Sequence, residues 1–287
     1  MFAVLALASA ACYGAADFIG GMAARRADTI PVVLVSQAAG LILVALLLPL
    51  LDAPVPGRLD LLWSGAAGIA GGVGVALLYR ALAVGVMSLV APVTAVCGVA
   101  VPVVIAVGLL GERPAVQASL GIALALAAVV LISQADGRTT EAPGEPVRQR
   151  PHRRGLGLAL ASGVSIGLFF FALARTSAAA GLWPLLIARG CSVGFFGVLA
   201  LASGRSLRLS RPIAATAMAG GILDMLANLL YLLATRLGPL TLVVTLSARY
   251  PASTVMLAWR VLHERLTGRQ WAGVALALGA IVLIVWG

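Results

Sequence analysis

Apolar runs long enough to cross a lipid bilayer recur along the whole chain, and nothing constrains its folding more. A helix rises 1.5 Å per residue and the hydrocarbon core is about 30 Å thick, so roughly twenty apolar residues make one crossing. Breaks at charged, proline and glycine residues divide the sequence into ten such spans. They are 1–22, 30–51, 59–82, 87–110, 115–135, 155–174, 182–203, 212–233, 240–262 and 271–286. The runs are continuous and lack the alternation of membrane β-strands. Backbone groups in lipid must be satisfied within their own segment, so the expected fold class is an all-α integral membrane protein with ten transmembrane helices.

With 61% hydrophobic and 10% charged residues in 287, little remains for a soluble domain. The first twenty residues have no basic leader and carry Asp17, so they are expected to stay as the first helix. The formal charge of +10 comes entirely from arginine on the basic side, but these residues lie between apolar blocks without interleaved aromatics. Nucleic acid is therefore not an expected partner. Cys12, Cys97 and Cys191 are dispersed in apolar runs, and His152 and His263 have no companion at ligand spacing. Neither disulfide, metal site nor cofactor is indicated. No nucleotide-binding, metalloprotease or nucleophile-elbow motif is present, so neither an ATP motor nor an enzyme is expected.

The longest polar stretch, Asp136–Arg154, stands near the midpoint with three prolines, three acids and five arginines in nineteen residues. It reads as a linker between residues 1–135 and 155–287. Displacing the second half by 152 residues aligns Tyr79 with Tyr231, Glu112-Arg113 with Glu264-Arg265 and Gly121 with Gly273. Sixteen of the fifty-five positions from Tyr79 to Ser133 are then identical, against roughly a tenth by chance. Two repeats of five helices each, an odd number, must be inverted relative to one another, and inverted repeats place a polar cavity at the membrane midplane.

The sequence Gly238-Pro239-Leu240, Arg249-Tyr250-Pro251-Ala252, Thr254-Val255, Leu257-Ala258, Glu264-Arg265, Gln270 and Gly273 resembles the second half of an EamA-type member of the drug/metabolite transporter superfamily. Tyr79, Pro92, Pro102, Gly111-Glu112-Arg113-Pro114 and Gly121 form a looser copy in the first half. The resemblance implies a ten-helix carrier. Its cavity would be lined mainly by the third, fourth, eighth and ninth helices, with the first and sixth contributing.

Ionisable residues inside spans are candidate functional groups because hydrocarbon penalises them. Asp17, Arg189, Asp224 and Arg249 are four such groups, and the adjacency of the eighth and ninth helices suggests an Asp224–Arg249 pair. Asp224 could bind a cationic group, carry a coupling proton or simply bridge two helices. Asn228 lies one turn beyond it on the same face. Asp17 lies one turn after Tyr13 and resembles the coupling carboxylate of small multidrug exporters in the superfamily, but an interfacial position beside Arg25 and Arg26 is the competing reading. Arg189 and Arg249 could hold a carboxylate or phosphate. Tyr79, Tyr231 and Tyr250 could face the cavity or pack helices; Tyr250 precedes a helix-loosening proline. Glycines 65, 68, 71, 72, 74, 220 and 221 suit close helix approach, and the two Glu-Arg pairs suit capping and loop anchoring.

Loops on the side of the termini hold four arginines, and those on the linker side hold thirteen. Basic loops stay cytoplasmic, which predicts the linker inside and both termini outside, whereas the resemblance implies cytoplasmic termini. The expected protein is an exporter of a small metabolite or drug in the bacterial plasma membrane, coupled to a proton or other ion. Import, uncoupled facilitation and a non-transporting membrane scaffold or subunit are the alternative readings, and the oligomeric state is not specified by these residues.

Overall fold

The computed structural model describes residues 1–50, 53–110, 116–134, 150–204, 206–238, 243, 246–264 and 266–286. Among them are ten α-helices: α1 Phe2–Arg26, α2 Thr29–Leu47, α3 Arg58–Val84, α4 Met87–Leu110, α5 Val116–Gln134, α6 Arg150–Ala174, α7 Trp183–Ala202, α8 Arg211–Leu237, α9 Tyr250–Leu262 and α10 Gly268–Trp286. Eight are long and apolar enough to cross a membrane, and the chain is a multi-pass integral membrane protein with no strand among the described residues. In the ninth span Val243, Leu246 and Ser247 are helical, Ala248 and Arg249 form a turn, and α9 then runs thirteen residues from Tyr250, with Pro251 in the first turn where proline's missing N–H costs nothing. The expected linker is shortened, because α6 takes in its last five residues from Arg150.

Two kinds of residue organise the packing. Prolines sit in the first turns of α7, α8 and α9, where their fixed φ suits helix entry. Pro92 and Pro102 lie inside α4, so Pro102 supplies no N–H to the Gly98 carbonyl one turn back. Small residues then let backbones touch. A Cβ at Gly68 would stand 2.8 Å from Ala188 Cα, and one at Gly221 would stand 2.9 Å from Ser36 Cα. These two contacts correspond, within one residue, under the displacement that relates the halves. Thus α3 meets α7 as α8 meets α2. Likewise α1 lies on α8 and α6 on α3, so each repeat's first helix packs against the other repeat's third.

Contacts along the helices fix their directions. Gly20 and Gly21 of α1 face Tyr79 and Leu82 of α3, and Arg25 reaches Leu82 and Gly85, so α1 and α3 run parallel. Ser9 of α1 bonds the Ala227 carbonyl while Gly20 lies against Gly220, which makes α8 antiparallel to α1. Gly121 of α5 meets Ile284 of α10 and Leu124 lies near Gly279, so these repeat mates are themselves antiparallel. The halves are inverted, as their odd helix number requires.

The apolar core is concentrated toward the face that carries the linker, where Phe18, Val32, Leu78, Leu82, Met87 and Val93 pack together. Overfilling a close backbone contact costs about 1–3 kcal/mol. Gly68→Val and Gly221→Val should each lower the melting temperature of the detergent-purified protein. Gly190→Ala, where nothing lies within 4 Å, should leave it unchanged. Equal melting of all three variants would contradict the packing described.

Candidate functional site

A cavity of about 560 Å³ lies between the repeats, within the range of small-molecule sites. Helices α3, α4, α6 and α8 supply most of its wall, with α1, α2, α7, the entry to α9 and Val285 of α10 contributing. Most of its surface is apolar or glycine, including Gly68, Gly71, Gly72 and Gly98. The polar groups are few and come from facing helices.

At its centre Arg189 of α7 donates one guanidinium N–H to the Asp224 carboxylate of α8 and another to the Gln37 side-chain oxygen of α2. The Arg189 and Asp224 side chains are 13% and 19% exposed, so the pair is largely withdrawn from solvent. Gln37 and Arg189 are 152 residues apart, the displacement between the repeats. Equivalent residues meet where a two-fold axis passes, so this bond marks the pseudo-axis. Gln37 was not singled out from the sequence; adding the repeat displacement to each residue near a buried charge would have found it. Asn228 donates one of its two amide N–H groups to the Asp224 carbonyl at 2.8 Å, within its own helix.

Of the other residues proposed from sequence, Tyr13, Asp17, Tyr231 and Tyr250 also line the cavity. The Tyr13 and Tyr250 rings lie 5.9 Å apart, tilted, and join α1 to α9. Asp17 has no hydrogen bond or ion pair among the described residues. Ser192, one turn beyond Arg189 and 2% exposed, lines the cavity with its hydroxyl unbonded.

Two residues fall elsewhere. Tyr79 is 2% exposed within the core, packs over Gly20, and its hydroxyl meets Ser36 Oγ at 3.3 Å. Arg249 is exposed at the entry to α9 and does not line the cavity. The expected Asp224–Arg249 pair is therefore corrected to Asp224–Arg189. The physical reason is that α8 packs on α1 and α2 while α9 packs on α1 and α4, so helices consecutive in sequence are separated by α1.

The linker face is closed by a polar cluster that also joins the repeats. His263 takes a left-handed conformation, φ 54°, at the end of α9, in the manner of a helix C-terminal turn. Glu264, which follows, accepts from Met87 N at 3.0 Å, Ser88 N at 2.9 Å and Ser88 Oγ at 2.7 Å. The expected capping role of Glu264 is thus played at the start of α4, in the other repeat. Its carboxylate occupies the positive end of that helix. Arg25 stands 3.7 Å from Glu264 and donates to the Leu82 carbonyl at 3.2 Å. Glu112, Arg113 and Arg265 lie outside the described residues.

The EamA-like transporter family matches residues 1–134 and 153–286. The chain belongs to that family. Both segments of the match are displaced by the spacing that joins Gln37 to Arg189, so the two-repeat architecture of this EamA-type member of the drug/metabolite transporter superfamily agrees with the contact at its pseudo-axis. No curated protein matches the chain. The family assignment makes the protein a membrane transporter and the cavity its candidate site.

Removing one partner of a withdrawn ion pair leaves the other uncompensated, at a cost of about 2 kcal/mol or more. Arg189→Gln and Asp224→Asn should each lower the melting temperature of the purified EamA-type protein. The double variant should lose at least about 1 kcal/mol less than the sum of the singles. Additive losses would show that the two side chains do not act as a pair.

Proposed function

We propose that the protein is a secondary transporter that exports a small metabolite or drug by alternating access, using an ion gradient. One observation carries this reading: the inverted repeats are not packed alike. In the first, α1 lies along α3, with Gly20 and Gly21 against Tyr79 and Leu82. The corresponding helices of the second, α6 and α8, lack that packing. Leu173 and Tyr231 there line the cavity, while Gly21 and Tyr79 at corresponding positions are buried in a closed contact.

A two-fold related pair of bundles with different internal packing supports a cycle in which the repeats exchange conformations. Such an exchange would separate α1 from α3 at the linker face and bring α6 onto α8 at the face of the termini. The cavity would then reach the membrane's two sides in turn. No nucleotide motif supplies a motor within the sequence, so the energy is assigned to an ion gradient, with Asp17 as its candidate acceptor. The thirteen linker-side arginines favour a cytoplasmic linker, in which case the closed face is cytoplasmic and the cavity faces outward.

Proteoliposomes containing the full chain test the proposal. Across a panel of amino acids, nucleosides, sugars and cationic drugs, at least one compound should show saturable flux that collapses when an imposed proton or sodium gradient is dissipated. Flux no greater than in protein-free vesicles for every compound would overturn it.

A further inference from the structure

The pseudo-two-fold axis relates two polar half-sites in the cavity, and they are not furnished alike. In one, Asp224 bonds Arg189 beside Gly40, where a Cβ would stand 3.7 Å from Arg189 Nε. Subtracting the displacement of 152 turns Arg189, Asp224 and Ser192 into Gln37, Gly72 and Gly40. In the other half-site the acid is therefore a glycine, and the space in front of it is taken by Ser192, since a Cβ on Gly72 would run into Ser192 Oγ. Guanidinium and carboxylate are replaced by carboxamide and hydroxyl. The first half-site is closed by its ion pair, whereas the second has no such internal bond. Gln37 gives its side-chain oxygen to Arg189, and its two amide N–H groups make no bond among the described residues. Ser192 Oγ is likewise unbonded. Both residues are 2% exposed and both line the cavity. Buried donors without partners carry a free-energy cost that an acceptor on a ligand relieves.

The charges around the second half-site say what kind of acceptor fits. Arg189 and Asp224 already neutralise each other. A carboxylate placed against Gln37 and Ser192 would thus be a buried anion held by uncharged donors, and a cation there would meet the Gln37 N–H groups. A carbonyl oxygen brings no net charge and has two lone pairs, one for each donor residue. The adjoining wall is apolar: Phe169 lies against Gly71, where a Cβ would stand 2.8 Å from the ring's Cδ2, and Val75 and Ile166 continue the surface. We infer that the cavity takes an uncharged compound with a carbonyl group on an aromatic or aliphatic body, the carbonyl oxygen accepting from Gln37 and Ser192. These two side chains are then the ones that set specificity. The inference deepens the transporter reading and rests on it for the fate of the ligand; Asp17, assigned there to the coupling ion, takes no part in it.

Calorimetry on the full chain in detergent tests the inference with three probes of one shape and different charge: naphthalene-2-carboxamide, naphthalene-2-carboxylate and naphthalene-2-carboxamidinium. The carboxamide should bind at least tenfold more tightly than either ion. Ser192→Ala should weaken it at least fivefold while melting within a few degrees of the parent, because the hydroxyl holds no protein partner. Gln37→Glu, which keeps an oxygen facing Arg189 and removes both amide donors, should weaken it at least as much. Equal affinity for the three probes would overturn the inference, as would preference for the carboxylate, which would show Arg189 leaving Asp224 for the ligand, or for the amidinium, which would make an acid the receptor. Unchanged carboxamide binding in Ser192→Ala, or an equal loss for all three probes there, would also overturn it. Ser192-dependent carboxamide binding without flux of any compound would sink the transport reading and leave this one. Gradient-driven flux by a protein that shows no preference for the carboxamide would do the reverse.

Discussion

Arg189 is held by one arm to Asp224 in its own repeat and by the other to Gln37, the residue that stands in its own place in the opposite repeat. A guanidinium inside hydrocarbon is expensive unless its donors are satisfied, and here satisfaction requires both halves at once. The close approach of Gly68 to Ala188 and of Gly221 to Ser36 brings α2, α3, α7 and α8 near enough for that to happen. The cavity is the space left beside this junction, where glycines take the place of larger side chains. Charge pairing at the axis, inversion of the halves and the position of the chamber are thus one arrangement.

Much of this was legible in sequence. Run lengths gave ten helices because lipid thickness allows little else, and the displacement of 152 exposed the repeat through Tyr79 and Tyr231 and the Glu-Arg pairs. Asp224 stood out because an acid in an apolar span demands an explanation. Its partner did not follow, because chain adjacency is a poor guide when each repeat's helices interleave with the other's. The eighth and ninth helices are neighbours in sequence and are separated by α1 in space. Tyr79 and Tyr231 are alike in sequence but differ in place, one in a closed contact and one on the cavity wall. No periodicity could separate them, since the difference belongs to the conformation and not to the composition of either helix.

The closed face differs from its counterpart in chemistry. It holds the Arg25–Glu264 ion pair, the Glu264 cap on α4 and the Tyr79–Ser36 contact. Under the repeat displacement Arg25 corresponds to Ser177, Met87 to Pro239 and Ser36 to Ala188. A serine cannot form the ion pair, a proline has no N–H to give a carboxylate, and an alanine offers a tyrosine no hydroxyl. Closure of the other face would lack these polar contacts, which accords with the linker face being the one that is shut in this structure.

The exchange of packing between the halves is most directly tested by distance measurement between spin labels in lipid nanodiscs, one pair across α1 and α3 near the linker face and one across α6 and α8 near the face of the termini. With a transported compound present, the account predicts a second population in which the first distance has lengthened and the second has shortened. Two distances that stay fixed, or that lengthen together, under conditions of demonstrated flux would contradict it.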